Sequence, residues 1–402
     1  MNILFILPQF ERGGGQVIQA LELAKFMKTR GHNIYIISDR SKIISKDSLR
    51  YLKTLNFTFI GKKSYDFIII IKIIKILFKS IRLIKSKRIE IIQAFDPHFG
   101  GMIGSILNLI FSIPTIIRFG AKYIEYYIYK FRKKSFIFRN FFIIDILSIF
   151  LTSIEKFSIL IAEKIIANCK FIENYYINKM SQKNRKKLLT IPSGIDLRTP
   201  ALDKTEENHD KIAPFILYIG RIVRYKGIET LIDVFIDILR ENQSLKLILI
   251  GSTKYDKKYF IELQTEIREN YLMDKIIFKG SITHSKLFNF LRNAEFLVLP
   301  SEKDKYKIEE GLPNVILEAF KVKCPVIASN TGGIKEVVKN YYNGLLFQPK
   351  NEKDLYEKMK ILLNNLELKR KIIKNAFRYL KNKRDIEFIS KKYIHIYKEL
   401  KK

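Results

Sequence analysis

Short apolar runs alternate along the chain with longer stretches of helical period. The runs are rich in Ile, Leu and Phe, and each has the length of one strand buried on both faces of a parallel sheet. Between them, apolar residues recur at spacings of three and four, which predicts helices that cover the sheet. The first series of predicted strands comprises Ile3–Leu7, Asn33–Ser38, Ile89–Phe95, Thr115–Phe119, Lys164–Asn168 and Leu188–Pro192; the second comprises Phe215–Gly220, Leu245–Ile250, Lys275–Phe278, Phe296–Pro300, Pro325–Ser329 and Gly344–Phe347. The pattern indicates an α/β fold with two doubly wound parallel sheets.

A polar, proline-containing stretch at 197–213 separates the two series and has the composition of an interdomain linker. A length of 402 residues also suits two cores better than one. We therefore predict an N-terminal domain over 1–196 and a C-terminal domain over 214–384. The last segment, 385–402, is predicted to be a helix that can pack back on the N-terminal domain.

The chain carries a formal net charge of +33, and the excess is larger in the first half. Such a charge favours anionic partners such as phosphates, nucleic acid or an acidic membrane. A coding bias towards Lys, Ile and Asn explains it equally well. Two cysteines, Cys169 and Cys324, form no metal-ligand spacing, which points to a reducing cytoplasm.

The N-terminal apolar run lacks a basic flank and is interpreted as a strand, not a signal peptide. The longest apolar stretch, Phe141–Ile154, is interrupted by Asp145 and is too short to span a bilayer. However, Lys122–Leu160 and Ile68–Lys85 mix lysines with large apolar side chains at helical spacing. Such helices can lie on the inner face of an anionic membrane, as a peripheral contact, or simply pack on the sheet.

Three glycines, including Gly14 and Gly15, follow the first predicted strand and open a helix. Bare amides at a helix N-terminus favour an anion, so this loop is a candidate for phosphate binding. The spacing is not that of a dinucleotide-binding fingerprint. A purely structural turn fits as well.

The second series of strands opens with GRIVRYKG, which places Arg221 and Lys226 after a strand that ends near Gly220. Ligands of open α/β sheets bind outside the carboxyl ends of the strands. Both cations are therefore candidates to hold a diphosphate. A pair of solvated surface charges is the alternative.

The segment EGLPNVILEA carries two carboxylates, Glu310 and Glu318, on either side of a predicted helix start at Pro313. A carboxylate accepts hydrogen bonds from vicinal hydroxyls, as a ribose or a hexose presents them. The amides near the start of the helix are candidates for phosphate contact. The candidate donor-binding residues of this segment are Glu310, Gly311, Leu312, Pro313, Asn314, Val315 and Glu318.

These motifs, in this order and followed by PVIASNTGGIKEVV, resemble the signature of retaining family 4 glycosyltransferases of the GT-B fold. The resemblance implies two Rossmann-like domains that face each other across a cleft. It also implies a nucleotide-sugar donor (UDP-, GDP- or ADP-sugar) and no metal or other cofactor. Arg221 and Lys226 would bind the donor diphosphate, Glu318 the ribose and Glu310 the donor sugar, so Glu310, Arg221 and Lys226 are the candidate catalytic residues.

One position departs from the family pattern, because Phe119 stands where members often carry a histidine before a glycine. Arg118 is a candidate for the missing role, or a structural residue. His98, in FDPHFGG, is a candidate for the acceptor side, or a residue that caps a loop.

The expected function is transfer of a hexose-type sugar to a glycan or polyprenyl-linked acceptor in bacterial surface polysaccharide synthesis, such as O-antigen, capsule or exopolysaccharide. A sugar-nucleotide epimerase-like enzyme on the same scaffold and an inactive transferase-like protein are the alternatives. A nucleic-acid partner is not expected, because the donor motif would then have no use. The sequence does not indicate the oligomeric state.

Overall fold

The computed structural model describes residues 1–7, 15–39, 56–60, 69–134, 141–198, 213–304 and 308–401. The chain forms two compact units. Unit 1 comprises Met1–Ile124, Ile137–Asp196 and Asp385–Lys402, and unit 2 comprises Glu125–Phe136 and Leu197–Arg384. The division differs from the predicted one at 125–136, which groups with unit 2. Most of the predicted linker lies outside the described residues.

The described helices and strands follow the predicted alternation. Before residue 198 they are β1 (Asn2–Ile6), α1 (Gly15–Thr29), β2 (Asn33–Asp39), β3 (Phe57–Ile60), α2 (Ile69–Lys87), β4 (Ile91–Ala94), α3 (Phe99–Phe111), β5 (Thr115–Phe119), α4 (Tyr123–Lys134), α5 (Phe141–Ile161), β6 (Lys164–Ala167), α6 (Lys170–Ile177), α7 (Gln182–Arg185) and β7 (Leu188–Thr190).

After residue 213 the elements are β8 (Phe215–Ile219), a 3₁₀ turn (Arg224–Lys226), α8 (Ile228–Glu241), β9 (Lys246–Ile250), α9 (Lys257–Glu269), β10 (Ile276–Gly280), α10 (His284–Asn293), β11 (Phe296–Leu299), α11 (Asn314–Lys321), β12 (Val326–Ser329), α12 (Ile334–Val337), β13 (Leu345–Phe347), α13 (Glu352–Asn364), α14 (Leu366–Lys383) and α15 (Ile386–Lys401). Strands occur at all twelve predicted places.

In unit 1 the described strands form a seven-stranded parallel sheet in the order β3-β2-β1-β4-β5-β6-β7. Successive side chains of β1 point to opposite faces, as strand geometry requires. Ile3 and Phe5 pack in a core with α1 and α15, and Leu4 and Ile6 pack in a second core with α2 and α3. Both faces are covered, which explains why the predicted strands are continuously apolar.

Helix α15 belongs to unit 1 although it follows unit 2 in the chain. The N–H of Ile386, the first residue of the helix, donates to the Ile195 carbonyl at 3.0 Å. Tyr393 and Tyr397 are almost fully buried in the same core as β1, and the Tyr397 hydroxyl contacts the Gln93 amide oxygen at 3.1 Å. The helix therefore completes one face of the unit 1 core.

In unit 2 the described strands form a six-stranded parallel sheet in the order β10-β9-β8-β11-β12-β13. The chain winds outward from β8 to β10 and then returns to build β11 to β13 on the other side. The direction reverses between β8 and β11, and ligands of open α/β sheets bind at this reversal point. The predicted fold class, two doubly wound parallel sheets, is confirmed.

Candidate active site

Lys226 lies in the loop that follows β8, at the point where the sheet of unit 2 reverses direction. It ends the 3₁₀ turn, and Gly227 follows with a φ of 62°, a left-handed conformation that favours glycine. A Cβ atom on Gly227 would lie 2.1 Å from the carbonyl oxygen of Pro300, just after β11. The close approach of the two loops therefore requires this glycine. Lys226, in the first of these loops, is only 6% exposed.

The Lys226 ammonium forms a short ion pair with the Glu310 carboxylate, which lies in the long connection between β11 and α11. Burial lowers the pKa of Lys226, and the charge of Glu310 partly opposes this effect. Burying a charged ammonium away from water costs free energy unless the charge is paired. The pair joins the ends of the two strands that flank the reversal point.

Gly332 holds the backbone of Glu310 in place. Its φ is 50°, and a Cβ atom at this position would lie 1.9 Å from the Glu310 carbonyl oxygen. The next amide, that of Gly333, donates to the same oxygen at 3.1 Å. The glycine pair in the motif SNTGGIKE thus serves as a backbone support for the Glu310 carboxylate.

Arg221 follows β8, and its Cζ atom and the Lys226 Nζ atom lie 5.8 and 5.7 Å from the centroid of the same ring, that of Tyr225. Its guanidinium donates to the hydroxyls of Tyr126 and Tyr225, at 2.7 and 2.5 Å. The backbone of Arg221 is fixed by the Tyr218 hydroxyl, which donates to the Arg221 carbonyl at 2.8 Å. The structure therefore brings Arg221, Lys226 and Glu310 together.

The other residues of the predicted donor segment lie at the start of α11. Pro313 is the residue before the first helical position, and Asn314 begins the helix. Gly311, Leu312 and Pro313 are buried, Val315 is 9% exposed and Asn314 is partly exposed. The segment therefore packs its apolar side chains inward, beside Glu310.

Glu318 lies on α11 and is only 6% exposed, although it carries a carboxylate. Its Oε1 atom is 2.9 Å from Nε2 of His284, the first residue of α10. Sequence reasoning missed His284. The available signal was its place just after β10, next to Thr283, whose side chain caps the helix.

We expect Glu318→Ala to weaken the binding of the nucleotide. The carboxylate is oriented by His284 from a neighbouring helix. Hydrogen bonds to a charged group contribute about 1.5–3 kcal/mol, so the Kd for the nucleotide should rise about tenfold or more. Calorimetric titration with UDP, GDP and ADP measures the change. Glu352→Ala, at an exposed position on α13, is the matched control. Unchanged nucleotide affinity in the Glu318 variant would contradict the assignment.

Two candidates of unit 1, Gly15 and His98, follow β1 and β4, the strands that flank the reversal point of its sheet. Gly14 lies outside the described residues, and Gly15 begins α1. Asp96 accepts from the backbone N–H groups of Phe99 and Gly100, at 2.6 and 3.0 Å, and thus caps α3. His98 immediately precedes α3 and is 5% exposed.

We expect His98 to make the stability of unit 1 depend on pH. Burial lowers its pKa from 6.5 to about 4, so the folded state favours the neutral imidazole. The stabilisation is fully present above pH 6.5 and is lost as the pH falls towards 4, by about 3 kcal/mol at 1.36 kcal/mol for each pKa unit. Comparing the melting temperatures of wild type and His98→Phe between pH 7.5 and 4 tests this. Parallel pH curves for the two proteins would contradict it.

Arg118 lies on β5 and is 3% exposed. Its Nε atom donates to the Tyr393 hydroxyl at 3.0 Å, and Nη2 donates to Ser193 Oγ at 2.9 Å. Both partners belong to unit 1, and Tyr393 lies on α15. These contacts favour a structural role for Arg118, because they join β5 to the C-terminal helix. Phe119 beside it is completely buried.

Over the part of the chain that the structure describes, no group of three His, Cys, Asp or Glu side chains has an arrangement suited to a metal ion. Over the same residues, no helix combines the length and the apolar character that a membrane span requires. Both cysteines are buried, and no disulfide joins them.

The chain matches two sequence families along most of its length. Residues 13–199 match Glycosyltransferase Family 4, and residues 201–379 match Glycosyl transferases group 1. The capsular polysaccharide biosynthesis glycosyltransferase CapM of Staphylococcus aureus is 29% identical over 243 residues, 57% of this chain and 60% of that protein. The N,N'-diacetylbacillosaminyl-diphospho-undecaprenol alpha-1,3-N-acetylgalactosaminyltransferase of Campylobacter jejuni is 22% identical over 395 residues, 94% of each chain.

Solved structures show the same architecture. The crystal structure of Anabaena HepE in complex with UDP-glucose superposes with a TM-score of 0.74 at 17% identity, covering 99% of this chain and 100% of that one. The likeness agrees with the two doubly wound sheets. The fold, the motif residues and the two family matches together show that the chain belongs to the family 4 glycosyltransferases, with the GT-B fold.

Proposed function

We propose that this glycosyltransferase moves a hexose-type sugar from a nucleoside diphosphate sugar to a glycan or polyprenyl-linked acceptor. The observation that carries the proposal is the buried pair of Lys226 and Glu310 at the reversal point of unit 2. Arg221 and Lys226 lie against the same Tyr225 ring, so two cations and one carboxylate converge where a ligand of such a sheet binds. This combination suits a donor with an anionic diphosphate and a hydroxyl-rich sugar.

The reaction is proposed to retain the configuration of the sugar. The bond between the anomeric carbon and the diphosphate oxygen breaks, and the acceptor oxygen bonds to the same face of that carbon. The acceptor hydroxyl proton passes to the departing phosphate. Arg221 and Lys226 stabilise the negative charge that develops on this leaving group, and Glu310 accepts hydrogen bonds from the sugar.

We propose that the charge on the leaving group is met by Arg221 and Lys226 without a metal ion. Preorganised cations in a site of low polarity stabilise developing charge more strongly than they would in water. Lys226 fits this role because it is buried and already paired, and so needs little rearrangement. Activity in the presence of excess EDTA is the expected result, and a complete loss of activity restored by Mg²⁺ would contradict it.

A role in surface polysaccharide synthesis is supported by the relatives. CapM is named for capsular polysaccharide synthesis, and the Campylobacter relative is named for an acceptor linked to diphospho-undecaprenol. We propose an acceptor of the same class, a glycan carried on a polyprenyl lipid. On the protein, the acceptor is proposed to meet unit 1 near the loop that carries His98.

We propose that unit 1 touches an anionic membrane on the cytoplasmic side through helices α2, α3 and α5. Helix α3 packs against both of the other two. Their outer surfaces expose large apolar side chains: Ile74, Phe78, Leu109, Ile110, Ile146, Ile149, Phe150 and Leu160. Exposed Lys75, Lys79 and Lys85 stand on α2 among them. Apolar side chains flanked by lysines suit the headgroup region of an anionic bilayer.

The donor is tested directly. Purified protein is titrated with UDP-, GDP- and ADP-sugars, and hydrolysis of the donor and thermal stabilisation are recorded. We expect one nucleotide class to stabilise the protein and to be consumed, with the product sugar in the same anomeric configuration as the donor. Interconversion of sugar nucleotides without transfer would support the epimerase-like alternative, and binding of none of them would support the inactive scaffold.

The membrane contact is tested with vesicles of phosphatidylglycerol and phosphatidylcholine. We expect binding to the anionic vesicles that is lost when Ile149 and Phe150 are both replaced by glutamate. Ile261→Glu, on an exposed position of unit 2, is the control. Equal recovery of wild type and double variant in the vesicle-free fraction would contradict the contact.

A further inference from the structure

Two tyrosines of α4 lie against the donor-binding loops of unit 2. Tyr126 and Tyr129 are three residues apart, so they share one face of the helix. The segment Glu125–Phe136 belongs to unit 2, although the rest of the chain around it builds unit 1. The donor-binding unit therefore includes a helical segment that the strand order alone does not assign to it.

Tyr129 anchors this segment. It is 5% exposed, and its hydroxyl lies 3.3 Å from Asp256 Oδ2 at the start of α9. Its ring meets the ring of Tyr225 edge-on, with centroids 6.0 Å apart, in a buried apolar cluster that also contains Val223 and Ile308. Because Val223 and Ile308 come from the loops that carry Lys226 and Glu310, the anchor is built into those loops.

Tyr126 contacts the guanidinium of Arg221 in two ways. Its hydroxyl accepts a hydrogen bond from Nη1 at 2.7 Å, and its ring centroid lies 4.9 Å from Cζ. Tyr225 accepts from Nη2, and the ring of Tyr255 lies 5.4 Å from Cζ. A guanidinium has five N–H donors in a rigid plane, so fixing two of them fixes the direction of the others.

We propose that Tyr126 is a positioning residue, which holds the Arg221 guanidinium in the orientation that receives the donor diphosphate. The inference rests on the proposed role of Arg221 in donor binding. An arginine side chain loses rotamer freedom when it binds a ligand, and a preorganised one has less freedom to lose. Tyr126 restrains the guanidinium from α4, whereas Tyr225 restrains it from the same loop that carries Arg221.

Tyr126→Phe tests the proposal, because it removes the hydroxyl that accepts from Nη1 and keeps the ring that packs on Cζ. We expect the Kd for the nucleoside diphosphate and the KM for the donor to rise about tenfold, as for loss of one hydrogen bond to a charged group. The KM for the acceptor should not change. Tyr271→Phe, at a residue that is 91% exposed, is the matched control.

A double-mutant cycle separates positioning from a general structural effect. Lysine at position 221 lacks the planar fork, so Tyr126 has no guanidinium to orient in the Arg221→Lys background. We expect Tyr126→Phe to change the Kd for UDP, GDP or ADP, whichever binds, less than twofold in that background. Equal effects in both backgrounds would show that Tyr126 acts on the fold and would overturn the proposal.

The outcomes distinguish this inference from the proposed function. Weaker nucleotide binding in Arg221→Lys together with an unchanged Kd in Tyr126→Phe would overturn the positioning role and leave the donor site intact. Wild-type protein that binds none of UDP, GDP and ADP would overturn the proposed function, and the inference with it. Melting temperatures within a few degrees of wild type accompany the expected result, since the ring of Tyr126 is retained.

Discussion

Lys226→Ala is expected to abolish measurable sugar transfer. The ammonium is buried, lies against the same Tyr225 ring as the Arg221 guanidinium and is proposed to face the leaving diphosphate. Removal of one preorganised group that stabilises developing charge costs about 10²–10³ in kcat, and loss of a full charge in a dry site should cost at least as much. Steady-state transfer assays with the donor found in the nucleotide panel measure the effect. A Lys226→Ala enzyme with wild-type turnover would refute the assignment.

Two further variants separate the loss of chemistry from a loss of folding. Removing one partner of a buried ion pair destabilises a protein by about 3–5 kcal/mol, because the Glu310 carboxylate is left without its cation. Lys226→Met also leaves Glu310 without its cation, but it keeps most of the apolar stem and avoids the cavity that alanine leaves. It should fold at the assay temperature, bind the nucleotide weakly and transfer no sugar. Lys371→Ala, at an exposed lysine of α14, should behave as wild type.

Gly332→Ala is expected to reduce both the stability of unit 2 and the activity, although it adds only a methyl group. The left-handed conformation costs a non-glycine residue about 1–2 kcal/mol. In addition, the new Cβ would lie 1.9 Å from the Glu310 carbonyl oxygen, so the backbone of Glu310 must move. We expect kcat/KM to fall at least about tenfold, since displacements of about an ångström at a site cost up to 10²-fold.

Gly280→Ala is the matched control for Gly332→Ala. Gly280 also has a left-handed conformation, with a φ of 64°, but a Cβ atom there would have no neighbour within 4 Å. The Gly280→Ala variant should lose only the stability that the left-handed backbone conformation costs, and it should retain full activity. Chemical denaturation and transfer assays on the two variants measure the difference. Equal losses of activity in both would indicate that Glu310 does not depend on Gly332.

The fold could be predicted from the sequence because its signal is local. A strand buried on both faces is a continuous apolar run, and twelve such runs all form strands. The strand β3, at Phe57–Ile60, was not predicted. Among the described strands it pairs with β2 alone, at the edge of the sheet, and its four residues alternate between apolar and polar at the start. An edge strand of this length has little pattern to distinguish it from a loop.

The site could be predicted only in part. Motif spacing identified Lys226 and Glu310, and the structure brings these two together. Motif spacing did not identify His284 or Tyr126. Their partners lie 34 and 95 residues away in the chain, and the contacts depend on tertiary packing. The predicted membrane segment is also divided, since two tyrosines of α4 pack within unit 2 whereas α5 belongs to unit 1 and exposes apolar side chains.

The return of α15 to unit 1 has a consequence for synthesis and for the design of fragments. The core around β1 lacks Tyr393 and Tyr397 until the ribosome has made all of unit 2, so unit 1 cannot finish folding first, as N-terminal domains usually do. Likewise, a fragment cut at 197–384 would lack Tyr126 and Tyr129. An isolated donor unit therefore needs the α4 segment grafted onto it, and an isolated unit 1 needs α15 joined directly to Asp196.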